Sequence, residues 1–290
     1  MPELPEVHTT VLGLRKKIKN LIVKDIWTDH KKLIKKPADF NLFKKDIRGR
    51  KIENIERRGK NIIIFLSGNK VLWIHQKMTG HLLVGAWEIK STPVFLGKGP
   101  LSEKINGHIH FVVLFSNGKM MALSDVRKFS KIIYSDKKEV FGSKELKSLG
   151  PDALDGGMNL SEFKNIIKGR KKARIKQILL NQEAISGIGN IYADEILWKA
   201  SVSPERPANN IKKDEFKKIF FFMKSLLKTS IGMGGDSMSD YRNVSGGKGA
   251  YQNHHRVYKR KDKPCYRCGS KIRRIKIGGR SSHFCPQCQK

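Results

Sequence analysis

The chain has 290 residues, with 59 Lys and Arg against 26 Asp and Glu and a formal net charge of +33. That length accommodates two domains, each with its own core, and 39% hydrophobic residues with ten prolines exclude a fibrous or wholly disordered chain. So large a cationic excess points to a polyanionic partner, either nucleic acid or an anionic membrane surface. No apolar run has the length of a membrane span and no signal-peptide core opens the chain, so a soluble, intracellular protein is expected.

The chain opens Met1-Pro2-Glu3-Leu4-Pro5-Glu6-Val7. The residue after the initiator methionine is small, and trimming leaves Pro2 with a free secondary amine. An α-amino group is less basic than a lysine side chain by roughly two to three pH units, so more of it is neutral near pH 7. A neutral amine beside a carboxylate can attack an electrophilic carbon and form an iminium. The same residues also read as an ordinary helix start, with Pro5 in the first turn and Glu6 complementing the N-terminus; alone, the segment favours that plainer reading. Val7, Val11, Leu14 and Ile18 then share one helical face.

A β-rich stretch follows. Residues 61–66 and 71–75 are apolar runs joined by Ser67-Gly68-Asn69-Lys70, and 109–115 and 120–123 flank Ser116-Asn117-Gly118-Lys119, so two hairpins are expected. Strands without regular intervening helices suggest an antiparallel sandwich. After Gly150-Pro151-Asp152 the period changes. Leu160, Phe163, Ile166 and Ile167 have helical spacing, as do Ile175, Ile178 and Leu179. Gly187-Ile188-Gly189-Asn190 makes a tight turn, with Asn190 expected as the N-cap of a helix through Trp198. Its amides offer a phosphate site, though an ordinary helical corner fits as well. Phe216, Ile219, Phe220, Met223, Leu226 and Leu227 line a longer helix, and residues 232–256 form a glycine-rich polar loop, expected to be mobile.

All four cysteines lie near the C-terminus. Cys265-x2-Cys268 and Cys285-x2-Cys288 stand sixteen residues apart, the spacing of a zinc ribbon in which four thiolates close a structural site and leave no open position for catalysis. Lys271, Arg273, Arg274, Lys276 and Arg280 lie between the pairs and would face either phosphate or solvent.

Taken in order, these pieces resemble the family of formamidopyrimidine-DNA glycosylases and endonuclease VIII. The resemblance is carried by Pro2-Glu3-Leu4-Pro5-Glu6, Lys60 after Arg57-Arg58-Gly59, and His75-Gln76-Lys77-Met78-Thr79-Gly80. It continues through Asp125-Val126-Arg127-Lys128-Phe129, Gly187-Ile188-Gly189-Asn190-Ile191-Tyr192 and Gly279-Arg280. It implies Pro2 as the nucleophile on C1′ of a damaged nucleotide, Glu3 as general acid, Lys60 as the proton donor of β-elimination and Arg280 as the phosphate grip of δ-elimination. Glu6 would support the site. His75, His108, Arg127, Lys171 and Asn190 match positions that contact DNA, and Met78, Arg127 and Phe129 match residues inserted into the duplex. Read alone, Met78 and Phe129 would be core residues, Lys60 and Lys171 solvated cations and His108 a strand histidine.

The resemblance further implies an α+β protein of two domains. Residues 2–135 would be an antiparallel β-sandwich with flanking helices and 136–156 a linker. Residues 157–256 would be a helix–two-turn–helix domain including the recognition loop 232–256, and 257–290 a β-hairpin zinc finger. One structural zinc, double-stranded DNA in a positive cleft between domains, and a monomer are expected. The activity implied is removal of oxidised purines with β,δ-elimination. The alternatives are an endonuclease VIII-like enzyme for oxidised pyrimidines, against which Leu4 speaks, and a silent nucleic-acid-binding homologue. Three departures bear on lesion choice: Ser130 and Asp236 replace the customary glycine and hydroxyl, and 258–262 lacks the usual glycines.

Overall fold

Apolar runs separated by Gly- and Asn-containing turns fold as strands because alternate side chains are buried against a second sheet. The computed structural model describes residues 1–154 and 156–290. The chain divides into two compact units, residues 1–147 with 233–250, and residues 148–232 with 251–290.

The first unit runs α1 (Leu4–Ile18), β1 (Val23–Thr28), β2 (Ile34–Lys36), α2 (Phe40–Ile47), β3 (Ile52–Arg58), β4 (Asn61–Leu66), β5 (Lys70–His75) and β6 (His81–Gly85). It continues with β7 (Trp87–Ile89), β8 (Pro93–Phe95), β9 (Ile109–Phe115), β10 (Met120–Ser124), β11 (Lys131–Asp136), α3 (Lys137–Gly142) and α4 (Lys144–Lys147). One sheet has the order β1-β9-β10-β6 and the other β2-β11-β5-β4-β3. Pairing is antiparallel throughout except between β11 and β2, which run parallel. Both expected hairpins are present, β4–β5 in register Leu66↔Lys70 and β9–β10 in register Leu114↔Met120. One core joins the sheets, with Ile62, Ile64, Leu72 and Ile74 from one and Phe111, Val113, Phe115 and Leu123 from the other. α1 lays Val7, Val11, Leu14 and Ile18 onto it, none more than 2% exposed.

The sequence reading assigns the loop after residue 232 to the helical domain; the structure corrects this for residues 233–250, which pack with the sandwich. Val244 enters the sandwich core, and its carbonyl accepts the Val84 amide at 2.8 Å. A Cβ on Gly13 would collide with the Val244 side chain, so α1 is glycine where the loop crosses it. Arg242 pairs with Glu103 at 3.2 Å and the Lys17 amine donates to the Ser245 hydroxyl at 2.9 Å. Local polarity hid this long-range packing.

The second unit contains α5 (Leu160–Lys168), α6 (Ile175–Leu180), α7 (Asn190–Ala200), α8 (Lys213–Gly232), β12 (Arg273–Ile277) and β13 (Arg280–Phe284). The N-cap of α7 is Gly189, not Asn190, which is the first helical residue. β12 and β13 turn through Gly278-Gly279, with φ 53° and 78°, the conformation of a two-residue hairpin turn that favours glycine.

Side chains of α7 hold the terminal ribbon. Buried Glu195 accepts the Arg256, Val257 and Tyr258 amides at 2.9 to 3.0 Å; burial pushes its carboxyl upward, opposed by those amides. The Arg267 guanidinium donates to the carbonyls of Trp198 and Lys199 at 2.9 and 3.0 Å, a cation on the orphan carbonyls of a helix C-terminus. In the 258–262 segment, Lys259 and Asp262 take φ of 53° and 64°, so the backbone keeps a glycine-like path without glycines.

Lys176 and Asp194 form a wholly buried ion pair at 2.6 Å. Lys176 also donates to the Ser281 carbonyl at 2.8 Å, while Asp194 accepts the Ser282 hydroxyl and the His283 amide at 3.1 and 2.9 Å. Removing the cation leaves a buried carboxylate short of its partner. Lys176→Met is expected to destabilise this unit by roughly 3–5 kcal/mol, read as lost hydrogen-exchange protection in β12 and β13. A change below about 1 kcal/mol would show that the hairpin does not depend on the pair.

Candidate active site and nucleic-acid interface

Pro2 is buried one residue ahead of Glu3, the N-cap of α1. The first turn of a helix leaves amides unpaired, and here Glu6 reaches back so that its Oε2 accepts the Glu3 amide at 2.7 Å. Its other oxygen, Oε1, accepts the Asp236 amide at 2.8 Å. One buried carboxylate therefore fixes both the terminal segment and the loop of 233–250. Gly235 is required at the crossing, because φ is +84° and a Cβ would lie 2.9 Å from Glu6 Oε1. Asp236 is buried and its Oδ1 accepts the Met238 amide at 3.0 Å. Tyr241, which nothing in the sequence pointed to, lies close enough to Glu6 that burial and then the Glu6 charge push its hydroxyl pKa upward.

Lys60 follows Gly59 in the β3–β4 turn and is only 6% exposed, unlike the solvated cation expected of a basic run. His75 ends β5 nearby. Its Nδ1 accepts the Lys77 amide at 2.9 Å, which places the ring proton on Nε2 and leaves a neutral donor. Burial, then Lys77, Lys60 and Lys131, push its pKa down to about 3.

Met78 and Phe129 are 43% and 51% exposed, so they are not core residues. The Arg127 guanidinium lies 4.5 Å above the Phe129 ring, a cation–π contact. His108 lies half-buried just before β9, and its carbonyl accepts the Asp125 amide at 2.8 Å. The structure thus brings the proposed inserted residues together on two neighbouring loops, 76–80 and 125–130, through a Thr79–Asp125 side-chain hydrogen bond. Neither partner was assigned a role from sequence; the available signal was Asp two residues before a backbone amide, a local turn pattern.

In the second unit, Lys171 is exposed between α5 and α6, and Asn190 begins α7 with an Oδ1 that accepts no hydrogen bond among the described residues. Arg280 is exposed at the start of β13, beside a cavity of about 390 Å³ lined by Lys261, Arg274, Lys276 and Ser281. The four cysteine sulfurs lie within 4.8 Å of one another. Cys265–Cys288 and Cys268–Cys285 are 3.9 and 3.5 Å apart. That is too far for disulfides and near the roughly 3.8 Å edge of a tetrahedron with 2.3 Å zinc–sulfur bonds. The Arg267 and Cys288 amides donate to the Cys265 and Cys285 sulfurs at 3.5 and 3.4 Å, supporting thiolate charge. The site fits one structural zinc. No helix among the described residues is long and apolar enough to cross a membrane.

Comparison with known proteins extends over the whole chain. Residues 1–132 match the formamidopyrimidine-DNA glycosylase N-terminal domain, 149–242 the formamidopyrimidine-DNA glycosylase H2TH domain, and 262–290 a zinc finger found in FPG and IleRS. Formamidopyrimidine-DNA glycosylases of Pelotomaculum thermopropionicum and Solibacter usitatus are each 37% identical, covering 100% of this chain and 99% and 100% of their own. A solved complex of Lactococcus lactis Fpg with DNA containing an abasic site superposes with a TM-score of 0.86 at 30% identity, covering 99% of both chains. A complex of the same relative with DNA containing an oxidised pyrimidine gives 0.85 at 30% identity, with all of both chains covered.

The depressed His75 pKa has a consequence for stability. Unfolded, this ring takes up a proton below pH 6.5, whereas the folded ring stays neutral to about 3. Its contribution is fully present above pH 6.5 and is lost as pH falls through that window, with a slope approaching 1.4 kcal/mol per pH unit at most. His75→Gln is expected to flatten the acid limb of the stability curve measured by denaturant unfolding. An unchanged slope would show that the buried ring does not titrate as described.

Proposed function

This chain belongs to the formamidopyrimidine-DNA glycosylase family, and from that premise we propose that it removes oxidised purines from duplex DNA and then cuts the strand through a Pro2 Schiff base. The observation that carries the reading is the Glu6 clasp, which holds the segment bearing Pro2 and Glu3 in a fixed direction. With Met1 removed, Pro2 presents a secondary amine. Its lone pair forms a bond to C1′ as the glycosidic bond breaks, the bonding electrons leaving with the base. Glu3 gives a proton to the sugar ring oxygen, opening the ring to an iminium. That cation withdraws electrons, so loss of the C2′ proton expels the 3′ phosphate, with Lys60 supplying a proton. In a second elimination, with Arg280 gripping phosphate, loss of the C4′ proton expels the 5′ phosphate. Zinc when bound supplies no step; it holds the ribbon that carries Arg280.

Lifting a base out of the stack costs a few kcal/mol, and Met78, Phe129 and Arg127 supply the apolar and cationic groups that fill the vacancy. His75 enters as an uncharged donor to phosphate, whereas Arg127, Lys171 and the ribbon cations contribute counterion release and a steep salt dependence. Asn190 binds phosphate at the start of α7. The Lactococcus lactis complex with an oxidised pyrimidine keeps that lesion class as a second substrate to be tested.

Borohydride added during reaction with a duplex carrying 8-oxoguanine opposite cytosine is expected to trap a covalent protein–DNA adduct that Pro2→Gly abolishes. Glu3→Gln should slow formation of the trapped iminium by roughly 10²-fold or more. Tight binding with neither adduct nor nick would support the silent binder instead, and faster trapping on an oxidised pyrimidine would reverse the lesion assignment.

A further inference from the structure

The two exposed loops that carry Met78, Arg127 and Phe129 share one internal support. Asp125 is fully buried. Its Oδ1 accepts the Thr79 hydroxyl and, at 3.3 Å, the Arg127 amide; its Oδ2 accepts the Ser130 amide at 2.8 Å. The Thr79 oxygen in turn accepts the Arg127 amide at 3.1 Å. Ser130 completes the connection, its hydroxyl donating to the Gln76 carbonyl at 3.1 Å, the same oxygen that accepts the Gly80 amide at 3.1 Å. Asp125 stands on the second loop and takes one donor, the Thr79 hydroxyl, from the first, so separating the loops breaks a hydrogen bond to a buried carboxylate and the Ser130–Gln76 bond with it.

Backbone conformation points the same way. Lys77, just before Met78, has φ 51°, and Lys128, just before Phe129, has φ 55°. Lysine rarely adopts this region, and such residues persist where their surroundings over-determine them. Each loop therefore presents its inserted side chain from a strained residue held by the shared network.

We propose that Asp125 and Ser130 are positioning residues that lock the 76–80 and 125–130 loops into one rigid wedge, so that Met78, Arg127 and Phe129 enter the duplex together. The inference rests on the reading of those three side chains as the inserted groups. A loop ordered only on insertion would lose conformational freedom at that moment, slowing extrusion of the base; a pre-formed wedge avoids this. Ser130 adds a cross-loop hydrogen bond that the customary glycine lacks, so this chain carries a tighter wedge than its family pattern implies.

The test uses the full chain with Asp125→Asn and Ser130→Ala, in single turnover, on two DNAs. One is an 8-oxoguanine:cytosine duplex with 2-aminopurine beside the lesion to report extrusion. The other is a single strand with a preformed abasic site, which has no stacked base to displace. On the duplex, extrusion and excision are expected to slow roughly tenfold in Asp125→Asn and about threefold in Ser130→Ala, the cost of buried hydrogen bonds lost. Single-strand cleavage should stay within about twofold. Equal slowing on both DNAs, or none on the duplex, overturns the wedge assignment. Ser130→Ala decides the matter if Asp125→Asn does not fold. An unsubstituted protein that cuts neither DNA overturns the glycosylase reading and the wedge with it.

Discussion

The buried carboxylate of Glu6 is the constraint on which the rest depends. It accepts two backbone amides, Glu3 at 2.7 Å and Asp236 at 2.8 Å, from segments more than two hundred residues apart. Bonds from amides to an ionised acceptor are among the stronger ones available to a protein. Neither segment can shift without breaking a bond to a buried charge. With Pro2 and Leu4 buried on either side of Glu3, this side chain helps to set the direction of the terminus. Gly235 makes the crossing sterically possible, and Val244 fixes the outer part of the same loop in the sandwich core.

A similar device recurs elsewhere. Asp125 ties the loop of Thr79 to its own, Glu195 holds the 256–258 turn, and Asp194 with Lys176 holds β13. Each is a buried acidic group spent on backbone amides or a single cation, in a chain whose surface is overwhelmingly basic. Isolated buried carboxylates are costly, so these four are offset by multiple donors and define unique loop positions. In the proposed function the strongly positive exterior attracts phosphate, while the few interior acids set geometry.

Much of this was legible in the sequence, and the reasons are local. α1 follows from Val7, Val11, Leu14 and Ile18, and the β4–β5 and β9–β10 hairpins from apolar runs around Gly- and Asn-containing turns. The ribbon follows from two Cys-x2-Cys pairs, because metal-ligand spacing is short-range. What failed was long-range or conformational. The loop 233–250 is polar and glycine-rich, yet Val244 and Glu6 draw it onto the sandwich. Asn190 was displaced by one position because Gly189 can occupy the N-cap without a side-chain bond. Met78 and Phe129 were assigned to the surface only through family resemblance; their chemistry alone argues for a core. Lys60, in a basic run, gave no sign that it would be buried.

The account turns on which nitrogen joins the sugar. After borohydride reduction of the complex with an abasic duplex, tandem mass spectrometry of the N-terminal peptide should place the reduced deoxyribose remnant on the Pro2 nitrogen, with Met1 absent. A remnant on Lys60, or a fully active protein that retains Met1, would contradict the proposed chemistry.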